Sequence, residues 1–97
     1  MRVAVVGHVE WVEFLRVDRA VEPGAVLRCA EGFGEAAGGG GVAAAELARL
    51  AGRCELYTAV GEDEVGRAVA PALGALGVDV LAAVRAMPHR RATTLID

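Results

Sequence analysis

Residues Ala37–Gly52 read AGGGGVAAAELARLAG, and this stretch decides the fold. Four glycines lead directly into an alanine-rich segment that predicts a helix from about Val42 to Ala51. Glycine lets a ligand approach main-chain N–H groups closely, and a helix N-terminus adds unpaired donors with a partial positive charge. The stretch therefore predicts exposed amides that cradle a hydroxylated or anionic small molecule. A mobile glycine linker before an ordinary helix is the alternative from these residues alone.

Strands and helices alternate on both sides of this stretch, which predicts an α/β fold with a mostly parallel sheet. Pro23-Gly24 is a turn signal before the third predicted strand, and a loop holding Gly32 and Gly34 follows that strand. The predicted strands cover residues 2–7, 11–17, 25–30, 54–60, 79–85 and 91–97.

The clearest helical periodicity follows Asp63, a residue suited to cap a helix N-terminus. Gly77 is placed to end this helix. Pro71 conflicts with the pattern, because an interior proline removes a hydrogen bond, but it lies near the polar side. The apolar positions recur at helical spacing: Val65, Ala68, Val69, Ala72, Leu73 and Leu76.

Composition excludes several classes of protein. The 97 residues suffice for one domain, and the net charge of −3 argues against a nucleic-acid surface. Lysine and serine are absent, which excludes a P-loop lysine and a serine nucleophile. No apolar run of about 18 residues predicts a membrane span, and no signal peptide is recognisable. We therefore expect a cytoplasmic protein.

The two cysteines and two histidines do not form a metal site. Cys29 and Cys54 lack the spacing of metal ligands, so we expect buried, reduced thiols. His8 is expected to pack or to hydrogen-bond beside the first strand. His89 belongs to a small basic cluster with Arg85, Arg90 and Arg91, for which a solvated turn and contact with an anionic group are both open.

The sequence stops at Thr93–Asp97, in what reads as the middle of a strand. A strand without a turn, cap or polar tail is an unusual end for a domain. We therefore expect the 97 residues to be a portion of a larger domain.

Several segments, taken in order, resemble the N-terminal third of ribokinase-like (PfkB family) carbohydrate kinases. Val3–Gly7 is similar to the first strand of that family, and Pro23-Gly24 to its proline-glycine turn. The tetraglycine stretch resembles its first signature. Val60–Gly66, VGEDEVG, is similar to its G-D-D-x-x-G segment, and Leu73–Val80, LGALGVDV, to its L-x-x-x-G-V-D-V ending.

The resemblance implies a ribokinase-like fold, with helices around a mostly parallel sheet and a small β lid over the acceptor. Residues 1–97 would be the N-terminal portion of one kinase domain, with lid strands at about 11–17, 25–30 and 91–97. The implied activity is transfer of the γ-phosphate of ATP, with Mg²⁺, to a sugar-like molecule. A homodimer through the lid strands is also implied.

The resemblance places Gly39, Gly40 and Gly41 beside the acceptor. The family's catalytic aspartate lies in a G-A-G-D motif that this chain lacks, so we expect no catalytic, ATP or metal site here and no activity from the chain alone. The usual asparagine after the glycines is replaced by Val42 or Ala43, which puts a ribose-like acceptor in doubt.

Three charged residues complete the predicted acceptor site. The family's sugar-binding aspartate after the first strand is absent, and Glu10 or Glu13 could accept hydrogen bonds from sugar hydroxyls instead. Solvated surface glutamates are the alternative. Arg91 is the candidate for an anionic group on the acceptor.

Two other functions stay open. A non-catalytic truncated module that binds a partner would leave an open sheet edge. A dinucleotide-binding domain is suggested by Gly32–Ala37, which fits a relaxed G-x-G-x-x-A pattern. The true fingerprint should lie directly between the first strand and the first helix.

Overall fold

A computed structural model describes all 97 residues as two small sheets and two helices. The elements, in chain order, are β1 (Ala4–Val6), β2 (Glu10–Val17), β3 (Cys29–Ala37), α1 (Gly38–Ala51), β4 (Cys54–Gly61), α2 (Glu64–Gly74), β5 (Val78–Arg85) and β6 (Arg91–Ile96).

The central sheet has the order β1-β4-β5, and all its pairs are parallel. Helix α2 crosses from β4 to β5, as a parallel pair requires. Strands β2 and β3 are inserted between β1 and helix α1, which leads into β4. The predicted mostly parallel sheet is confirmed.

Both helices pack on one face of the central sheet. Leu56 of β4 and Leu73 of α2 are fully buried there, as is Ala44 of α1. Small residues let α1 lie close to the strands, as its composition predicts. The same core contains Val9, Ala48, Cys54, Val60, Val69 and Val78.

The opposite face of the central sheet is uncovered within these residues. Tyr57 and Leu81 are opposite each other in register and are 41% and 46% exposed. Strand residues alternate between the two faces, so the apolar side chains of β4 and β5 form one buried and one bare surface.

The second sheet has the order β3-β2-β6, and its strands β2 and β6 coincide closely with two of the three strands predicted for a lid. Strand β2 pairs antiparallel with β3 and parallel with β6. The Phe14 and Phe33 rings stack across β2 and β3, with centroids 5.0 Å apart. We call this three-stranded unit the lid sheet, after the role that the sequence analysis predicted for it.

The third predicted strand was misplaced. Residues 25–28 are not in a strand, and β3 instead runs through Gly32 and Gly34, which were predicted as loop residues. A Cβ on Gly34 would lie 2.7 Å from Nε1 of Trp11, and one on Gly32 would lie 2.8 Å from a methyl carbon of Leu15. These glycines therefore make room on β3 for large side chains of β2.

The start and the end predicted for helix α2 are confirmed in part. Asp63 caps α2 by accepting a hydrogen bond from Gly66 N–H at 2.8 Å. The helix ends earlier than predicted, and Gly77 adopts a φ of 88° in the turn before β5. Pro71 lies inside α2 on its exposed side, where the helix tolerates it.

Two further expectations need correction. Helix α1 begins at Gly38, not near Val42, so the glycines form its first turn. The thiol of Cys54 is buried as expected, whereas Cys29 is exposed at the start of β3. No helix of the chain is both long and apolar enough to cross a membrane.

Candidate functional site

A cleft with a volume of about 830 Å³ lies at the carboxyl ends of β1, β4 and β5. Ligands of open parallel sheets bind at this edge. Its floor is the bare face of the sheet, which includes Tyr57 and Leu81. Its far wall is formed by the chain segments that connect the central sheet to the lid sheet.

Basic side chains line that wall. Arg85 ends β5, and His8, His89 and Arg90 lie in the segments that lead to the lid sheet. The carboxylate of Glu10 lies beside this group, with an oxygen 3.9 Å from both Nε2 of His8 and an Nη atom of Arg90. The cleft can therefore offer donors to hydroxyl or anionic oxygens.

None of the six predicted acceptor residues lines the cleft itself. Glu10 is half-buried next to it, at the start of β2. Glu13 is exposed further along β2, opposite Gly34. Arg91 is exposed at the start of β6, next to Arg90.

The three predicted glycines lie at the start of α1, and their amides are already paired. Gly40 and Gly41 N–H donate to the His8 carbonyl oxygen at 2.9 and 3.3 Å, and Gly39 N–H donates to Nε2 of His8 at 3.3 Å. The expectation of exposed amides is therefore wrong, because His8 supplies the acceptors that a helix N-terminus requires.

The glycines are needed for close packing at this point. A Cβ on Gly40 would lie 2.6 Å from the Gly7 carbonyl carbon and 2.7 Å from the His8 carbonyl oxygen. Gly38 has a φ of 77°, a left-handed conformation that favours glycine. Only glycine lets α1 begin directly against the end of β1.

His89 does not lie in a solvated turn, which was one of the two interpretations open for its basic cluster. It is only 5% exposed, and its Nδ1 accepts a hydrogen bond from Gly61 N–H at 3.1 Å. Its own N–H donates to Oδ2 of Asp63 at 3.1 Å. The N–H groups of Gly66 and, secondarily, His89 lower the pKa of the Asp63 carboxyl.

Neither His8 nor Arg90 is among the six predicted site residues, although Arg90 belongs to the basic cluster for which contact with an anionic group was open. One signal could have found His8: it follows β1, and ligands bind where the carboxyl ends of parallel strands converge. The dinucleotide alternative is wrong, because Gly32–Ala37 lies within β3 and not in a strand-to-helix turn.

No protein-family model and no curated protein matches the chain. Solved structures do match it. A provisionally named ribokinase from Agrobacterium tumefaciens is 28% identical with a TM-score of 0.87, over 99% of this chain and 32% of that one. A carbohydrate kinase from the same organism is 26% identical with a TM-score of 0.80, over 98% and 31%.

Phosphofructokinase-2 from Escherichia coli, in complex with fructose-6-phosphate, is 21% identical with a TM-score of 0.81, over 93% of this chain and 29% of that one. The chain thus spans about a third of the length of the structures it matches. These findings confirm the resemblance stated from the sequence: the chain has the ribokinase-like fold of the PfkB carbohydrate kinases, as a partial domain.

Proposed function

We propose that these residues are the N-terminal, acceptor-binding and lid portion of an ATP-dependent carbohydrate kinase. The complete enzyme would transfer the γ-phosphate to a sugar or a similar hydroxylated small molecule. The observation that carries the proposal is the basic cleft at the carboxyl ends of the parallel strands, beside a separate three-stranded sheet.

The cleft supports binding of a hydroxylated acceptor. The half-buried carboxylate of Glu10 can accept hydrogen bonds from hydroxyls, and the neighbouring His8 and Arg90 can donate them. An anionic group on the acceptor would find Arg85 and Arg90 in the cleft wall and Arg91 next to it. Gly39, Gly40 and Gly41 contribute by fixing α1 against His8 rather than through free amides.

Phosphoryl transfer itself requires positioning and a group that accepts the hydroxyl proton. The chain lacks the G-A-G-D motif that the resemblance implies for that role. No group of three or more His, Cys, Asp or Glu side chains is arranged to hold a metal ion. The proposal assigns ATP, Mg²⁺ and the catalytic base to residues outside this sequence.

An ADP-release assay with ATP, Mg²⁺ and a panel of ribose, fructose and fructose-6-phosphate tests the proposal. We expect no turnover by the 97-residue chain, and turnover by an enzyme in which it is joined to a C-terminal kinase portion. ATP-dependent phosphorylation by the isolated chain would refute the division of roles.

Matched variants of that joined enzyme test the acceptor site. Because Glu10 lies beside the cleft and Glu13 does not, Glu10→Gln should weaken acceptor affinity more than Glu13→Gln. Arg91→Ala should weaken affinity for fructose-6-phosphate more than for fructose. Equal effects of both glutamate variants would remove Glu10 from the site.

A homodimer through the lid strands is proposed on the same basis. Strands β3 and β6 are the two edges of the lid sheet, and Phe33 is 53% exposed on β3. Edge strands present unpaired backbone groups that can bind another chain. Sedimentation of the protein with Phe33→Glu against the unmodified protein tests this arrangement, and identical masses would contradict it.

A non-catalytic module that binds a partner remains the second candidate. The bare face of the central sheet, with Tyr57 and Leu81, favours it, because exposed apolar patches often mark interaction sites. Gel filtration together with thermal unfolding discriminates the two functions. A monomer that melts cooperatively supports the module, whereas aggregation of the isolated chain supports an incomplete kinase.

A further inference from the structure

The connection between β5 and β6 is one of the places where the chain crosses from the central sheet to the lid sheet. It contains Met87 and His89 and is tied to the turn between β4 and α2. Glu62 N–H donates to the Met87 carbonyl oxygen at 3.0 Å. With the two bonds of His89 to Gly61 and Asp63, three hydrogen bonds hold this crossing.

We infer that His89 is a positioning residue that holds the lid sheet in place against the central sheet. The inference rests on the proposed function in one respect, since the β3-β2-β6 sheet is taken as the lid. We call the contact of His89 with Gly61 and Asp63 the His89 clip.

The side chain and the backbone of His89 both take part in the clip. Gly61 N–H donates to Nδ1, so that nitrogen carries no proton and the ring proton lies on Nε2. Nε2 is buried and has no protein partner, so Gly61 alone sets the tautomer. A buried amide without an acceptor is costly. The imidazole of His89 therefore also stabilises the fold by accepting the hydrogen bond of the buried Gly61 N–H.

Glycines in the VGEDEVG segment let the clip form. A Cβ on Gly61 would lie 2.1 Å from the main-chain nitrogen of His89, and one on Gly66 would lie 1.9 Å from the Gly61 carbonyl oxygen. Backbone atoms cannot move aside cheaply at such distances. Gly61 is thus explained by the close approach of the crossing, and Gly66 by the close approach of the end of β4 to the first turn of α2.

The lid sheet is connected to the clip through the next residue. Trp11 N–H at the start of β2 donates to the Arg90 carbonyl oxygen at 3.0 Å, and β6 pairs with β2 from Arg91 onwards. A displacement of His89 would therefore disturb the hydrogen bond of the Trp11 N–H group. This residue also packs against the core and is the only tryptophan of the chain.

Amide hydrogen exchange of Gly61 and Trp11 tests the inference in the protein without sugar or nucleotide. His89→Leu fills a similar volume without the acceptor, and we expect protection of both amides to fall roughly five- to tenfold, the value of one hydrogen bond. His89→Asn places an amide oxygen near the position of Nδ1 and should restore protection to within about twofold of the original.

His8→Leu is the matched control, because the His8 side chain is half-exposed. Two of the three hydrogen bonds that His8 accepts from the start of α1 go to its carbonyl oxygen, which leucine also supplies. It should leave protection of Gly61 unchanged. Loss at Gly61 with no change at Trp11, or failure of Asn to rescue, would overturn the inference. If His89→Leu does not fold, nitrogen NMR of the unmodified ring decides: a proton on Nδ1 would overturn it.

The phosphorylation assay and this exchange measurement fail independently. Absence of kinase activity in the joined enzyme would leave the exchange result standing as a property of the fold. Conversely, an unchanged Trp11 amide would overturn the positioning role of His89 and leave the kinase proposal in place.

Discussion

Replacement of Gly40 by alanine tests whether the tetraglycine stretch exists for packing. Gly40 is buried in the first turn of α1, and its added Cβ would meet Gly7 and His8 main-chain atoms at 2.6–2.9 Å. Overpacking of this kind costs about 1–3 kcal/mol. Displacement of the helix start also weakens the hydrogen bonds to the His8 carbonyl oxygen, each worth about 1 kcal/mol.

Alanine recovers part of this cost, because it is favoured over glycine in a helix by about 1 kcal/mol. The net expectation is destabilisation by about 2 kcal/mol, from the overpacking and hydrogen-bond terms above. In a domain of this size the melting temperature should fall by roughly 8–16 °C.

Gly41→Ala is the matched control one residue along. Its Cβ would meet its nearest neighbours, an Ala36 oxygen and Val9 methyl groups, at 3.6–3.7 Å, which is ordinary contact. This variant should keep or raise stability, by up to about 1 kcal/mol. Thermal unfolding followed by circular dichroism compares the two, and equal melting temperatures would refute the packing argument.

Three further predictions concern the core, the thiols and the α2 cap. Leu73→Ala should destabilise the chain by about 2–5 kcal/mol because Leu73 is fully buried. Leu76→Ala should have little effect because Leu76 lies beyond α2 and is 58% exposed. Urea unfolding measures both variants, and similar losses of stability would contradict this difference in burial. A thiol reagent should modify Cys29 in the folded protein and Cys54 only after unfolding, since Cys54 is buried and burial raises the pKa of its thiol; mass spectrometry of two labelled sites in the native state would contradict this. The pKa of Asp63 is lowered in the fold, so its carboxylate stabilises the fold above the ordinary aspartate pKa, about 4. This contribution is lost as the pH falls through the lowered pKa. Asp63→Asn should therefore reduce the loss of stability at acid pH, and a profile of stability against pH that does not change would exclude this role of Asp63.

Local patterns in the sequence predicted most of the fold. The β-branched run at β1, the periodicity of α2 and the cap at Asp63 each act over a few residues, and each is confirmed, except that α2 ends before Leu76. Alternation of strands and helices predicted the parallel central sheet for the same reason.

The errors come from contacts between distant residues. Gly32 and Gly34 indicate a loop when read locally, but they face Leu15 and Trp11 across the lid sheet. The amides at the start of α1 were expected to be free, and they are paired by His8, about 30 residues earlier. His89 is buried where it forms hydrogen bonds with Gly61 and Asp63, residues that lie 28 and 26 positions earlier in the chain.

Strand β2 lies in the middle of the lid sheet, yet its two neighbours come from very different places in the chain. The β3 strand follows it closely, whereas β6 pairs with it across about 80 residues of sequence. Long loops of this kind close slowly during folding. The β2–β3 hairpin is therefore free to form early, and its other side stays unpaired until the central sheet has assembled and delivers β6. Refolding should then have a late kinetic phase in which the environment of Trp11 changes after most helix has formed.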